Sequence, residues 1–153
     1  MLVRWDGRFL TLHGDATLTH EVGTSYLDAN ASWTDYVDGN ATITATGTVD
    51  PITLGTYLLS YDYSDSSGNV ASTVTRSVTV VDSTAPVITL HGDATLTHEA
   101  GTSYVDANAT WSDFVDGTGI VTSTGTVDIT TLGTYVLSYD YTCLLYTSDA
   151  ADE

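Results

Sequence analysis

The sequence predicts an all-β protein made of two β-sandwich repeats in tandem. Thr, Ser, Val, Tyr, Gly and Asp dominate its 153 residues, lysine is absent, and the apolar residues are dispersed, which favours short strands and turns over helices. Residues 12–21 (LHGDATLTHE) recur unchanged as residues 90–99, at an offset of 78 residues. This offset is longer than the roughly 20 to 50 residues of a solenoid unit. Each copy is therefore expected to close its own core.

Strand signals run through the first copy in order. Short strands are predicted at residues 9–12, 17–22, 32–36 and 41–46, where Gly, Asp and Asn separate the apolar segments. In residues 55–65 apolar and polar side chains alternate, which predicts a half-buried strand. The apolar face of that strand consists of Tyr57, Leu59, Tyr61 and Tyr63. A turn at residues 66–69 and a strand within residues 70–81, with Val74, Val78 and Val80 on one face, complete a hairpin. About seven short strands per copy are typical of a sandwich.

The repeat also predicts the domain boundaries. The first repeat is assigned to residues 9–82, a linker to residues 83–86 and the second repeat to residues 87–142. Because the linker is short and contains Pro86, we expect it to hold the two domains apart in an extended line. The second copy has no counterpart of the first copy's last turn and strand, so we expect an unpaired edge, a partly uncovered core and a tendency to aggregate.

Charge and hydropathy exclude several classes of partner. The formal net charge is -17, and the only basic side chains apart from histidine are Arg4, Arg8 and Arg76, so no patch is available to bind nucleic acid. No segment approaches the roughly 18 apolar residues of a membrane span, so membrane insertion is not expected. Cys143 is the only cysteine, which excludes a disulfide within the chain.

Several short motifs occur in a characteristic order. They are DYVDG at residues 35–39, GTYLLSY at 55–61, DSSGN at 65–69, RSVTV at 76–80 and APVITL at 85–90. Over residues 9–142 this order resembles the bacterial immunoglobulin-like repeats related to hyalin (HYR) repeats of surface and secreted proteins. The resemblance implies tandem immunoglobulin-like β-sandwiches, the second truncated, in an extracellular or cell-surface protein. It implies a structural or adhesive spacer whose partners are neighbouring repeats of the same chain, and it supplies no catalytic residues.

The two ends of the chain depart from this resemblance. Residues 143–153 are similar to a translated sequencing adapter, so we predict that they are not native protein and exclude them from the functional reasoning. Residues 1–8 do not match the segment that leads into the second copy.

Acidic residues form the candidate metal site. In an immunoglobulin-like sandwich the loop that holds Asp35 and Asp38 is expected to approach the final turn, which would give the oxygen-rich surroundings that Ca²⁺ prefers. The full candidate set is Asp35, Asp38, Asp65, Asn69, Asp82, Asp113 and Asp116. Asp, Asn and Gly are also ordinary turn residues whose side chains bond to nearby backbone groups. Both the calcium site and the turn interpretation remain open at this point.

Other residue types give weaker signals. His13, His20 and their copies lack a third ligand at metal spacing, and we interpret them as strand or loop histidines. Trp33 and Trp111 are interpreted as core residues and not as a sugar-stacking surface. No catalytic motif is present, so we expect no enzyme activity. The alternative to a spacer is a carbohydrate- or ligand-binding accessory module of a secreted hydrolase, with surface glycans or proteins as partners.

Overall fold

The computed structural model describes residues 9–143. Residues 1–8 and 144–153, which include all but the first residue of the predicted non-native tail, lie outside this described part. The described chain contains nine strands and no helix, so it contains no helix that could cross a membrane. It divides into two compact units, with the boundary between Asp82 and Ser83.

The described part of the first unit contains six strands, whereas roughly seven are typical of a sandwich. These strands are β1 (Phe9–Leu12), β2 (Thr17–Glu21), β3 (Ala31–Asp35), β4 (Gly39–Ile43), β5 (Gly55–Tyr61) and β6 (Val74–Val81). Between β4 and β5 the chain makes only an isolated bridge, from Thr46 to Ser60. Gly47, whose φ is +101°, follows directly after this bridge, and no described strand lies between β4 and β5.

The two sheets of this unit have different topologies. Antiparallel β1, β3 and β4 form the first sheet in that order, with Ala31 of β3 lying between Leu12 of β1 and Ile43 of β4. The second sheet has the order β2–β6–β5, in which β6 runs parallel to β2 and antiparallel to β5. Strand β6 therefore supplies hydrogen bonds to both of its neighbours, and the second sheet depends on it.

Side chains from both sheets meet in one core. Ala31 of the first sheet clusters with Leu59, Tyr61 and Val78 of the second, and all four are at most 2 % exposed. The alternation predicted for residues 55–65 is thereby confirmed, since Leu59 and Tyr61 are buried while Leu58 faces solvent. The first unit is an all-β sandwich, as the sequence predicts.

The described part of the second unit repeats only the first of these sheets. Its strands β7 (Val87–Leu90), β8 (Ala109–Asp113) and β9 (Gly117–Val121) pair antiparallel in the same register, with Ala109 between Leu90 and Val121. Within the described residues, the segments 95–99 and 133–139, which correspond to β2 and β5, form no continuous strand. No described residue takes the place of β6 between them. The described part of the second unit therefore contains one sheet, and the assignment of a second repeat without its final strand stays a prediction.

Candidate functional site

The loop between β3 and β4 is held by its own acidic side chains. The Asp35 carboxylate accepts hydrogen bonds from the backbone N–H of Val37 at 2.7 Å and of Asp38 at 2.9 Å. Asp38 instead reaches the turn after β5, where its carboxylate accepts bonds from the backbone N–H of Ser66 at 2.7 Å and from the Ser66 hydroxyl at 2.8 Å. The structure therefore brings the two predicted loops together through Asp38.

The Asp65 side chain holds the turn after β5 together by accepting hydrogen bonds. Its carboxylate accepts bonds from the backbone N–H groups of Ser67 and Asn69 and from the Asn69 side-chain amide, over 2.7 to 3.0 Å. Tyr63 lies beside both loops, and burial, followed by the nearby charges of Asp38, Asp35 and Asp65, raises the pKa of its hydroxyl. All three carboxylates therefore lie close enough to act electrostatically on the Tyr63 hydroxyl.

The second unit repeats part of this arrangement. Asp113 accepts bonds from the backbone N–H of Val115 at 2.8 Å and of Asp116 at 3.0 Å. Asp82 lies at the end of the first unit and is 2 % exposed. Among residues 9–143, no three His, Cys, Asp or Glu side chains are grouped to hold a metal. The observed bonds match the turn interpretation, and the calcium site stays a prediction.

A buried arginine lies at the centre of a polar cluster in the first unit. Arg76 is 1 % exposed and lies on β6 among the inward-facing valines. Its Nε donates to the Asp15 carbonyl at 2.9 Å, one terminal nitrogen donates to the His13 carbonyl, and the other forms an ion pair with Asp28. A buried guanidinium requires such partners, because leaving its charge unpaired in the core is very costly.

The Asp28 carboxylate is the hydrogen-bond acceptor that the other polar groups of this cluster share. Its carboxylate accepts bonds from the Tyr61 hydroxyl at 2.7 Å, the Asn30 backbone N–H at 2.9 Å and the Tyr26 hydroxyl at 3.2 Å. Burial acts to raise the pKa of Asp28, but the hydrogen bonds from Tyr61, Asn30 and Arg76 outweigh it and lower the pKa. The cluster ties the loop before β3 to strands β5 and β6.

The sequence analysis did not predict this cluster. A signal was present in the sequence. Arg76 is separated from Val74, Val78 and Val80 by two or four residues, and side chains at such spacings point to the same face of a strand. Its partner Asp28 is 48 residues away along the chain. Only the folded register brings the two side chains together.

The second unit contains the same acceptor without the arginine. Asp106, the counterpart of Asp28, accepts bonds from the Tyr139 hydroxyl at 2.7 Å and the Asn108 backbone N–H at 3.1 Å, and a longer one from Tyr104 at 3.3 Å. The bond to Asp106, followed by burial, raises the pKa of Tyr139 to about 12. Residues 83–153 contain no arginine or lysine.

Comparison with known proteins identifies the family. Residues 10–80 and 88–143 each match the family described as "Bacterial surface protein, Ig-like domain". The chain belongs to this family. A solved structure, the lipoprotein BT2262 from Bacteroides thetaiotaomicron, is similar at 25 % sequence identity with a TM-score of 0.45, over 55 % of this chain and 45 % of that one. The chain thus spans less than half the length of that lipoprotein. A comparison with curated proteins found no match.

Both Ig-like domains pair their tryptophan with a tyrosine. Trp33 stacks on Tyr63 and Trp111 on Tyr141, each with ring centroids 3.8 Å apart and planes 10° from parallel. Trp111 also lies against Gly119, where an added Cβ would be 2.5 Å from the indole nitrogen. Both indoles are half-buried, and Trp33 is not among the residues of the core cluster, so the structure places them in ring stacks with tyrosine and not inside the core.

The histidines of the Ig-like domains bond locally. His13 Nε2 lies 2.9 Å from the Ser32 hydroxyl, and His20 Nε2 lies 3.0 Å from the Thr24 carbonyl oxygen. His91 and His98 repeat both contacts in the second domain, with Thr110 and Thr102. These bonds fit the strand or loop interpretation.

Proposed function

We propose that the chain is a spacer module of an exported bacterial surface protein, in which folded repeats hold a distant domain away from the cell. The observation that carries this proposal is the match of both repeats, at a fixed period, to a family of surface Ig-like domains. The partners of such a module are neighbouring repeats of the same chain. We also propose that these repeats are related to hyalin repeats, which is a narrower assignment than the family that they match.

The charge of the chain supports the proposal. With a net charge of -17 and no lysine, neighbouring copies on a cell surface repel one another and stay dispersed. The acidic carboxylates at the loops are engaged by backbone N–H groups, which keeps the turns between strands fixed. A spacer needs rigid domains, and these bonds contribute to that rigidity.

Surface exposure is the first test. An antibody raised against the chain should label intact cells of the source bacterium, and external protease should remove the signal while a cytoplasmic marker protein survives. Labelling that requires cell lysis contradicts the proposal. The cytoplasmic marker controls for leakage.

Binding is the second test, because it separates a spacer from an adhesin or an accessory module. The full chain is applied to arrays of glycans and to intact cells, with bovine serum albumin as a control protein. A spacer is retained no more than the control. Saturable retention on one glycan class or cell type would assign the chain an adhesive role instead.

A further inference from the structure

The peptide bond between Asp50 and Pro51 lies in the segment that connects β4 to β5. Asp50 and Ile52 on either side of the proline are exposed, so water reaches this part of the chain. In the second unit the matching bond joins Asp128 to Ile129. The two repeats therefore differ in the residue that supplies the nitrogen of this bond.

Hydrogen bonds fold the Asp50 carboxylate along the chain toward its own peptide bond. One carboxylate oxygen accepts a bond from the Ile52 backbone N–H at 3.1 Å, and the other accepts one from the Thr53 hydroxyl at 2.8 Å. Both donors lie beyond Pro51 in the sequence, so the side chain bends across the peptide bond and not away from it. The Pro51 carbonyl oxygen in turn accepts a bond from the Gly23 backbone N–H at 2.8 Å. The carboxylate is thus held beside an anchored peptide bond.

The second unit forms the same turn around a different residue. Asp128 accepts bonds from the Thr130 backbone N–H and from the Thr131 hydroxyl, both at 2.9 Å. The Ile129 carbonyl oxygen accepts a bond from the Gly101 backbone N–H at 2.8 Å. The aspartate is therefore placed alike in both units, while the nitrogen bonded to its carbonyl carbon belongs to proline in the first and to isoleucine in the second.

We propose that Asp50 cleaves its own peptide bond to Pro51 in acid, so that the first unit contains a self-cleavage site. A carboxyl oxygen of Asp50 attacks the Asp50 backbone carbonyl carbon and forms a cyclic anhydride, while the bond from that carbon to the Pro51 nitrogen breaks. The carboxyl proton passes to this nitrogen, which leaves as the secondary amine of a new N-terminus. A water molecule then opens the anhydride, which restores the side-chain carboxyl and leaves a C-terminal carboxyl group on Asp50.

The chemistry of the bond and the shape of the turn both favour this reaction. The proline nitrogen belongs to a tertiary amide, which takes up a proton from acid and leaves more readily than the nitrogen of a secondary amide. A nucleophile that is held beside its target also attacks much faster than one that arrives from solution. At Asp128 the turn is the same but the leaving nitrogen is that of a secondary amide. We therefore expect the Asp128–Ile129 bond to stay intact.

Cleavage leaves the first unit in two pieces that the fold holds together. Strands β1 to β4 precede the bond and β5 and β6 follow it, yet β2 pairs with β6 along its whole length. Ala31 of the earlier piece also shares the core with Leu59 and Val78 of the later one. The reaction therefore replaces a covalent connection within the unit by a non-covalent one.

Mass spectrometry of the full chain tests the proposal. The protein is kept at about pH 4 and at about pH 7, which lie near and well above the ordinary pKa of an aspartate, and samples are denatured before analysis. We expect fragments 1–50 and 51–153 to accumulate in acid only, and to elute together when the acid-treated protein is chromatographed without denaturant. A chain that stays intact in acid overturns the proposal. A parallel incubation in urea at the same pH removes the turn and should slow cleavage; equal or faster cleavage there contradicts the positioning of the carboxyl by the turn.

Three matched variants locate the reaction. Pro51→Ile gives the first turn the residue that the second unit uses, and it should slow cleavage at least about tenfold, because the leaving group is poorer. Asp50→Asn keeps an oxygen acceptor in the turn but removes the nucleophile, and it should abolish cleavage. Ile129→Pro should create a second cleavage site after Asp128. Cleavage of either first-unit variant at the unchanged rate, or an Ile129→Pro chain with no new fragment, contradicts the assignment.

Discussion

Arg76 shows how one charged side chain can organise a core. Replacing it with leucine leaves the Asp28 carboxylate without its ion-pair partner and removes the donors to the His13 and Asp15 carbonyls. Breaking a buried pair in this way costs about 3–5 kcal/mol. We expect Arg76→Leu to lower the free energy of unfolding of the first unit by this amount, measured by urea denaturation. Thr75→Ala, at an exposed site on the same strand, is the control and should change it by less than about 0.5 kcal/mol.

The same cluster makes stability depend on pH. Because the pKa of Asp28 is lower in the folded protein than the ordinary value of about 3.9, the unfolded chain binds more protons in this range. The stabilisation is complete above about pH 4 and is lost as the pH falls through the lower, folded pKa. Urea denaturation from pH 7 to pH 2 should show this decline. Asp28→Asn should be less stable at pH 7 and show a shallower decline; an unchanged pH profile would contradict the assignment.

At the residue scale, the sequence predicts which face of a strand a side chain occupies better than it predicts which side chains that residue contacts. Alternation was sufficient to place Leu59 and Tyr61 inside, because side chains along a strand point to opposite faces in turn. It did not lead to a buried Arg76, because arginine is almost never fully buried unless it is paired. The pairing with Asp28 depends on tertiary register, which alternation does not contain. The sequence analysis expected the two acidic loops to approach each other, and in the structure they are joined by the hydrogen bond between Asp38 and Ser66.

At the element scale, β2 and its copy show that strand formation depends on context. Residues 17–21 and 95–99 have one sequence and therefore one intrinsic propensity, but only the first segment has β6 as a partner. Strand propensity is largely a measure of how a residue packs against neighbouring strands. The sequence predicted an open edge in the second repeat. It did not predict that the copies of both β2 and β5 would lose their strand structure, since their own residues remain suited to it.

The close approach at Gly47 is a second determinant at the element scale. The glycine has φ +101°, and an added Cβ would lie 2.8 Å from the Leu58 carbonyl oxygen. Gly47→Ala should destabilise the first unit by about 1–3 kcal/mol, because backbone strain adds to this clash. Gly68→Ala is the control, since Gly68 also has positive φ but has nothing within 4 Å of the added Cβ. Urea denaturation should show the larger loss for Gly47→Ala, and equal losses would mean that the close approach does not matter.

At the scale of the whole molecule, the two units carry nearly the same sequence but differ in the sheets that their described residues form. The first has two sheets around one core, whereas the described part of the second has one sheet and residues 95–99 open to solvent. Stability follows the apolar surface that a sandwich buries between its sheets. The second unit should therefore open at a lower free energy than the first, and the chain should not unfold in a single two-state transition.

Strands β3 and β8 provide an internal comparison for this prediction. Their sequences, ASWTD and ATWSD, differ only by exchange of Ser and Thr, and Ala31 and Ala109 are both fully buried at their first positions. Intrinsic amide exchange rates are nearly equal for such similar segments, so a difference in protection reports the stability of each unit. We expect the amides of β8 to exchange at least about tenfold faster than those of β3, which corresponds to about 1.4 kcal/mol. Equal protection would mean that the described sheet of the second unit is as stable as the matching sheet of the first, and would contradict this prediction.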